Sequence, residues 1–74
     1  MFIVTQDFLN YTHDEVEDFD SAFEATCRYY ELINNADEND DCFTLSQIDG
    51  LDENGCYDYD NEVIIKTHVI NEYV

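Results

Sequence analysis

Nineteen carboxylates stand against one arginine and one lysine in this chain, a formal net charge of -17 over 74 residues. Self-repulsion on that scale opposes any compact state. Solubility alone asks for a net charge of only about 2–8 in magnitude. A fold must therefore form in spite of the charge, and something other than solubility favours the charge. Material for a core is present. Apolar residues make up 45% of the chain, including five Phe and six Tyr, more than a disordered acidic tail carries. There is no Pro and there are only two Gly, which argues against a linker. The length fits one domain spanning residues 1–74, of a size that buries only about 60% of its unfolded surface.

The stretch 14–31 combines both properties. At 100° per residue, Phe19, Phe23, Thr26, Tyr30 and Ile33 share one side of a helix, with Ala22 and Tyr29 beside them. Glu17, Asp20, Glu24 and Glu31 share the other, with Arg28 as the only cation among them. The pattern predicts an amphipathic helix with a core face and an anionic face. Two capping boxes compete for its start, Thr12 with Glu15 and Ser21 with Glu24. The first places Glu15 on the core side, so the helix either starts near 18–21 or follows a short acidic turn. Asn34 and Asn35 suit its C-terminal cap.

The remaining elements read as strands. Residues 1–9 are apolar and β-branched, 42–48 form a second such run, and 62–70 (EVIIKTHVI) form the clearest one. In that last run Val63, Ile65, Thr67 and Val69 share one face, and Ile64, Lys66, His68 and Ile70 the other. Apolar content on both faces places it centrally beside the first strand, or against another chain. The tail 71–74 can extend it. Residues 10–14 read as a turn and 36–41 (ADENDD) as a solvated acidic loop. Asp49-Gly50 and Asn54-Gly55 are turn dipeptides. Tyr and Asp alternate over 57–60, which suits a further short strand. The expected fold class is α+β: one amphipathic helix on a small, mainly antiparallel sheet of three or four strands, in the order β-α-β-β.

Several function classes are disfavoured. No EF-hand register fits: counted from Asp37, the sixth and twelfth residues are Cys42 and Ile48, and from Asp58 they are Val63 and Val69, where Gly and Glu are needed. Cys27, Cys42, Cys56, His13 and His68 have no zinc-ligand spacing. The cysteines match no C-x-x-C pattern and read as reduced thiols, with Cys27 near the core edge of the helix. No metal or cofactor is expected. No P-loop, nucleophile elbow or HExxH is present, and a chain this short has little room for a concave pocket, so enzymatic activity is not expected. The Asn10-Tyr11-Thr12 sequon has no bearing on a cytosolic protein. No signal peptide or membrane span is read, and anionic lipid would repel this surface. Direct nucleic-acid binding requires Lys and Arg that the chain lacks.

The reverse relation fits the magnitudes. A compact chain of this size is roughly 29 Å across, and that length of B-DNA carries roughly 17 negative charges. Carboxylates can stand in for phosphates before a basic DNA-binding protein, with fast, salt-dependent capture. The candidate contact residues are Glu17, Asp20, Glu24 and Glu31 on the helix, and Asp37, Glu38, Asp40, Asp41, Asp52, Glu53, Asp58 and Asp60 in the acidic loops. For any single acid a solvated face is the better reading. For the whole set it is weaker, because nearly all counter-charges are missing. The helix carboxylates alone imitate little DNA, so the loops or a second copy of the chain must complete the surface.

Short, strongly acidic and aromatic-rich, the chain resembles the small phage-encoded DNA-mimic proteins: anti-restriction proteins, inhibitors of uracil-DNA glycosylase, inhibitors of the nucleoid protein HU, and some anti-CRISPR proteins. The resemblance lies in size and composition over the whole chain. No motif defines the group and its folds differ, so no residue role carries over. It implies host takeover in the bacterial cytoplasm by blocking a basic DNA-binding protein, with a nucleoid-associated target favoured. Two other readings compete. One is a non-mimic inhibitor, for example of RNA polymerase, binding through the apolar strand 63–70. The other is a weak divalent-cation-binding acidic protein.

Overall fold

The computed structural model describes residues 1–9 and 14–70. Its elements are β1 (Phe2–Phe8), β2 (Glu15–Phe19), α1 (Ala22–Asn34), β3 (Asp40–Gln47) and β4 (Val63–Val69). All strand pairings are antiparallel, in the spatial order β2-β1-β3-β4. The helix packs on β3, β1 and β2. This is the expected α+β class, with four antiparallel strands where the sequence suggests three or four, one of them standing between β1 and the helix in the chain.

That strand, β2, occupies what reads as the first half of a long helix. Glu15, Glu17 and Asp18 carry no strand preference of their own. The cause is tertiary: β1 offers a row of unpaired backbone groups, and Phe2 to Gln6 pair with Phe19 to Glu15 in a hairpin. The helix then starts at the second of the two capping boxes. Ser21 is extended (φ -107°, ψ 131°) and its Oγ accepts from the Glu24 N–H at 3.4 Å. At the other end the Asn35 N–H donates to the Glu31 carbonyl at 3.1 Å. Thr12 of the alternative box, the sequon, most of the 10–14 turn and the 71–74 extension lie outside the described residues.

The helix is turned relative to the sequence reading. Ala25 and Tyr29 are buried, with Leu32, Ile33 and Ala36 half-buried against Val4, Phe43 and Leu45. Phe23, expected in the core, is 76% exposed, and Tyr30 is also exposed. Cys27, expected near the core edge, is exposed as well. The small Ala25 lets the helix axis come close to the sheet, and the aromatic track through Phe23 and Tyr30 swings outward.

Both faces of the central strands are buried. Val4 and Leu45 face the helix, while Ile3 and Ser46 point the other way and are equally buried. The cover on that second face is the connection 48–62. Tyr57 reaches Asp18, and Glu62 reaches Ser46. Asp52 holds the connection's tip, and Gly50 (φ 142°) and Gly55 (φ 82°) supply backbone angles that other residues rarely adopt. The short strand expected around Tyr57 is a single bridge to Leu51. The strand over 62–70 is not central: β3 lies beside β1, and β4 is an edge whose seven residues are all exposed.

Core deletions separate the two readings of the helix. Phe43→Ala is expected to cost about 3–5 kcal/mol, against a total stability of roughly 4–11 kcal/mol for this length. Phe23→Ala is expected to change stability by less than about 0.5 kcal/mol, as at a surface position. Urea unfolding midpoints of the two variants check this.

Candidate functional site

The twelve sequence-predicted carboxylates do not share one face. Glu17 lies on β2 and not on the helix, where Arg28 joins it to Glu31: Nη2 sits 2.9 Å from Glu17 Oε1, and Nη1 bonds Glu31. The Arg28 pKa is raised, chiefly by its hydrogen bond to Glu17. Asp20 and Glu24 are exposed at the helix N-terminus, where the helix dipole favours negative charge.

The 36–41 segment is not a structureless loop. Asp40 and Asp41 belong to β3. Asp40 is only 5% exposed, and its oxygens accept from Gln6 Nε2 at 2.7 Å and from the Asp37 N–H at 3.0 Å. It ties β1 to β3 and is removed from the contact surface. Asp41 is half-buried, and Asp37 and Glu38 remain exposed.

The third group sits on or beside the connection 48–62: Asp52, Glu53 and Asp60 are exposed and Asp58 is half-buried. The structure adds five acids that the sequence reading leaves out. Asp49 and Glu62 lie in the same connection. Asp18 meets Tyr57 from β2. Asp7 and Asp14 line a shallow cavity of about 250 Å³ with Thr5, Thr44, Tyr59 and Glu62. Period-2 reading of the first strand places Asp7 on the face away from Val4, but nothing local shows that the connection folds onto that face.

Among the described residues no Lys or Arg side chain reaches this second face. Both basic side chains lie on the helix side: Arg28 is bound to Glu17 and Glu31, and Lys66, opposite Leu45, stands 5.9 Å over the Tyr30 ring. Neutral donors fix the second-face carboxylates instead. Tyr57 Oη donates to Asp18 at 2.7 Å, Ser46 Oγ to Glu62 at 2.7 Å, and Asn61 Nδ2 to Asp49 at 3.0 Å. Backbone N–H groups of Asn54 and Cys56 donate to Asp52, and that of Asp60 to Asp58. A neutral donor orients a carboxylate and leaves its charge in place.

The same bonds act on the donors. Asp18 holds the Tyr57 hydroxyl protonated and pushes its pKa up to about 12. Burial, and then the bond to Asp7 at 2.8 Å, push the Cys42 thiol up to about 12. Cys42 is therefore a protonated thiol at neutral pH, the unreactive form. Among the described residues no three His, Cys, Asp or Glu side chains are arranged to hold a metal ion, and no helix is long and apolar enough to cross a membrane. Comparisons with protein-family models, curated proteins and solved structures find no match to this chain.

Two outcomes are expected. Asp40→Ala leaves the Gln6 amide and the Asp37 N–H without an acceptor and costs about 1–3 kcal/mol in urea unfolding, whereas Glu38→Ala is neutral or stabilising because it only removes like charge. The Tyr57 bond belongs to the neutral phenol. Its raised pKa means that the bond's stabilisation is complete below the ordinary tyrosine value of 10.0 and is lost as pH rises through about 12. Burial raises the pKa of Tyr29 and Tyr59 as well, and an ultraviolet phenolate titration is expected to lose the component near pH 12 in Tyr57→Phe.

Proposed function

We propose that the chain is a DNA-mimic inhibitor that occupies the basic DNA-binding surface of a host protein. The observation that carries this reading is the second face, where no Lys or Arg side chain stands among the described residues and the carboxylates are fixed by neutral donors. An anionic surface meant for a basic partner needs its charges in place but not neutralised, since fixed groups lose less entropy on binding. Internal ion pairs would cancel the field that steers the partner.

The magnitudes support the same reading. The longest dimension is 38 Å, and B-DNA of that length carries about 22 phosphates, of which one side presents roughly 11. Asp7, Asp14 and Asp18 from the sheet side, with Asp49, Asp52, Glu53, Asp58, Asp60 and Glu62 from the connection, give the second face a comparable count. The partner chemistry is a concave, Lys- and Arg-rich surface that takes duplex DNA without reading its sequence. A nucleoid-associated protein of the host bacterium fits that description best, because the mimic offers charge and no base edges.

The test is a pull-down from bacterial lysate at low and high salt, with duplex DNA as competitor. Basic DNA-binding proteins are expected to be captured at low salt and released by salt or DNA. The triple variant Asp49→Asn, Glu53→Gln, Asp60→Asn is expected to weaken capture roughly tenfold, at about 0.2–1 kcal/mol per exposed pair. Neutralising Glu24 and Glu38, away from this face, is expected to change it little. A complex indifferent to both salt and DNA would overturn the reading.

A further inference from the structure

We propose that two copies of this chain associate through β4, edge to edge and antiparallel, to form one continuous sheet. The two edges of the sheet are built differently. The β2 edge carries Glu15, Glu17 and Asp18 within five residues, the charged protection that keeps an edge strand from pairing with another chain. The β4 edge carries no carboxylate. Residues 63–71 form the longest stretch without Asp or Glu in a chain that has nineteen of them. Every β4 residue is exposed, with Val63 at 60% and Ile64 at 61%. An open edge strand with exposed apolar residues is a template for strand addition, and Lys66 is the single charged residue that guards this one.

The backbone is placed for that role. The Ile70 N–H donates inward to the Asp41 carbonyl at 2.8 Å. By the alternation of an antiparallel ladder, Thr67 and Val69 turn their N–H and C=O groups outward. The register shift between Leu45 and Ser46 interrupts β4 near Ile65, so the ladder available to another strand centres on this C-terminal half.

Charge selects the occupant. A basic segment is drawn to the carboxylate-bearing second face, whereas β4 carries Lys66, one of the two cations of the chain. β4 of a second copy is a strand without carboxylates, and the Lys66 that each copy brings to the seam is drawn to the net negative charge of the other. Two bodies of charge -17 also meet with least repulsion where neither presents a carboxylate. The pairing needs no other protein and stands apart from DNA mimicry. Its salt dependence has the opposite sign: screening weakens the repulsion between copies and favours the pair, but weakens attraction to a basic partner.

The test is light scattering of the full chain at low and high salt. The expected mass at high salt is twice 8.7 kDa, shifting toward the single-chain value at low salt. The double variant Ile64→Lys, Val69→Lys is expected to be monomeric at both salts with unchanged circular dichroism. It lowers the net negative charge, so added repulsion between the two acidic bodies as a whole cannot explain the loss. Phe23→Ser, on the exposed helix face, is expected to keep the pair. A parent chain that is monomeric at high salt overturns the proposal, as does a lysine variant that still pairs or a pair abolished by Phe23→Ser. A parent chain monomeric alone, whose capture of basic proteins is lost in the lysine variant, assigns the edge to the partner and overturns it too.

Discussion

Repulsion among nineteen carboxylates is the constraint to which the rest of this fold answers. Two cations cannot offset it. The apolar contribution is concentrated in a few fully buried side chains, Ile3, Val4, Phe43 and Leu45, in the two strands that have neighbours on both sides. Hydrogen bonds then fix individual carboxylates in place. Neutral donors do this for Asp7, Asp18, Asp40, Asp49 and Glu62. Hydrogen bonds to charged groups contribute about 1.5–3 kcal/mol where they are buried, and less where water competes. The same contacts that help so acidic a chain to fold also fix the positions of its charges, so the stability problem and the proposed functional surface share one solution.

The distribution of the two cations follows from this. Arg28 spans β2 and the helix, where Glu17 and Glu31 converge and no neutral donor stands between them. Lys66 lies on the same side, against the Tyr30 ring. The helix side is thus partly neutralised and carries exposed aromatics, whereas the far side is anionic. Carboxylates remain on the helix side as well, among them Glu15, Glu24 and Glu31, so the two faces differ in their basic and aromatic side chains rather than in the presence of acids.

Local pattern makes three strands and the helix ends legible. β-branched runs mark β1, β3 and β4, and Ser21 and Asn35 cap where the sequence places caps. What pattern cannot supply is pairing. β2 looks helical because its acids carry no strand signal, and its strand state comes from β1. The helix face is ambiguous because aromatic residues lie on two tracks, and only contact with the sheet shows that the track through Ala25 and Tyr29 goes inward. The acids of the candidate site are plain in the sequence, but their grouping is not. Asp40 is withdrawn by Gln6, 34 positions away, and Asp18 is joined to Tyr57 across 39. The Tyr and Asp alternation over 57–60 does not announce that the connection 48–62 folds back, so the second face is invisible until the chain is folded.

Salt acts on this molecule in two directions, and the cause is the same for both. At about 0.15 M ionic strength charges more than roughly 8 Å apart are largely screened. Across a body 27 Å wide, screening removes most of the repulsion between distant carboxylates. The fold therefore gains stability as salt rises. The proposed attraction of the second face for a basic partner would be carried by the same charges acting over the same distances, and would fall with salt. The core and the short hydrogen bonds to Asp18, Asp40 and Glu62 depend little on either. Since screening strengthens the fold while it weakens the attraction, loss of partner binding at high salt cannot be ascribed to unfolding.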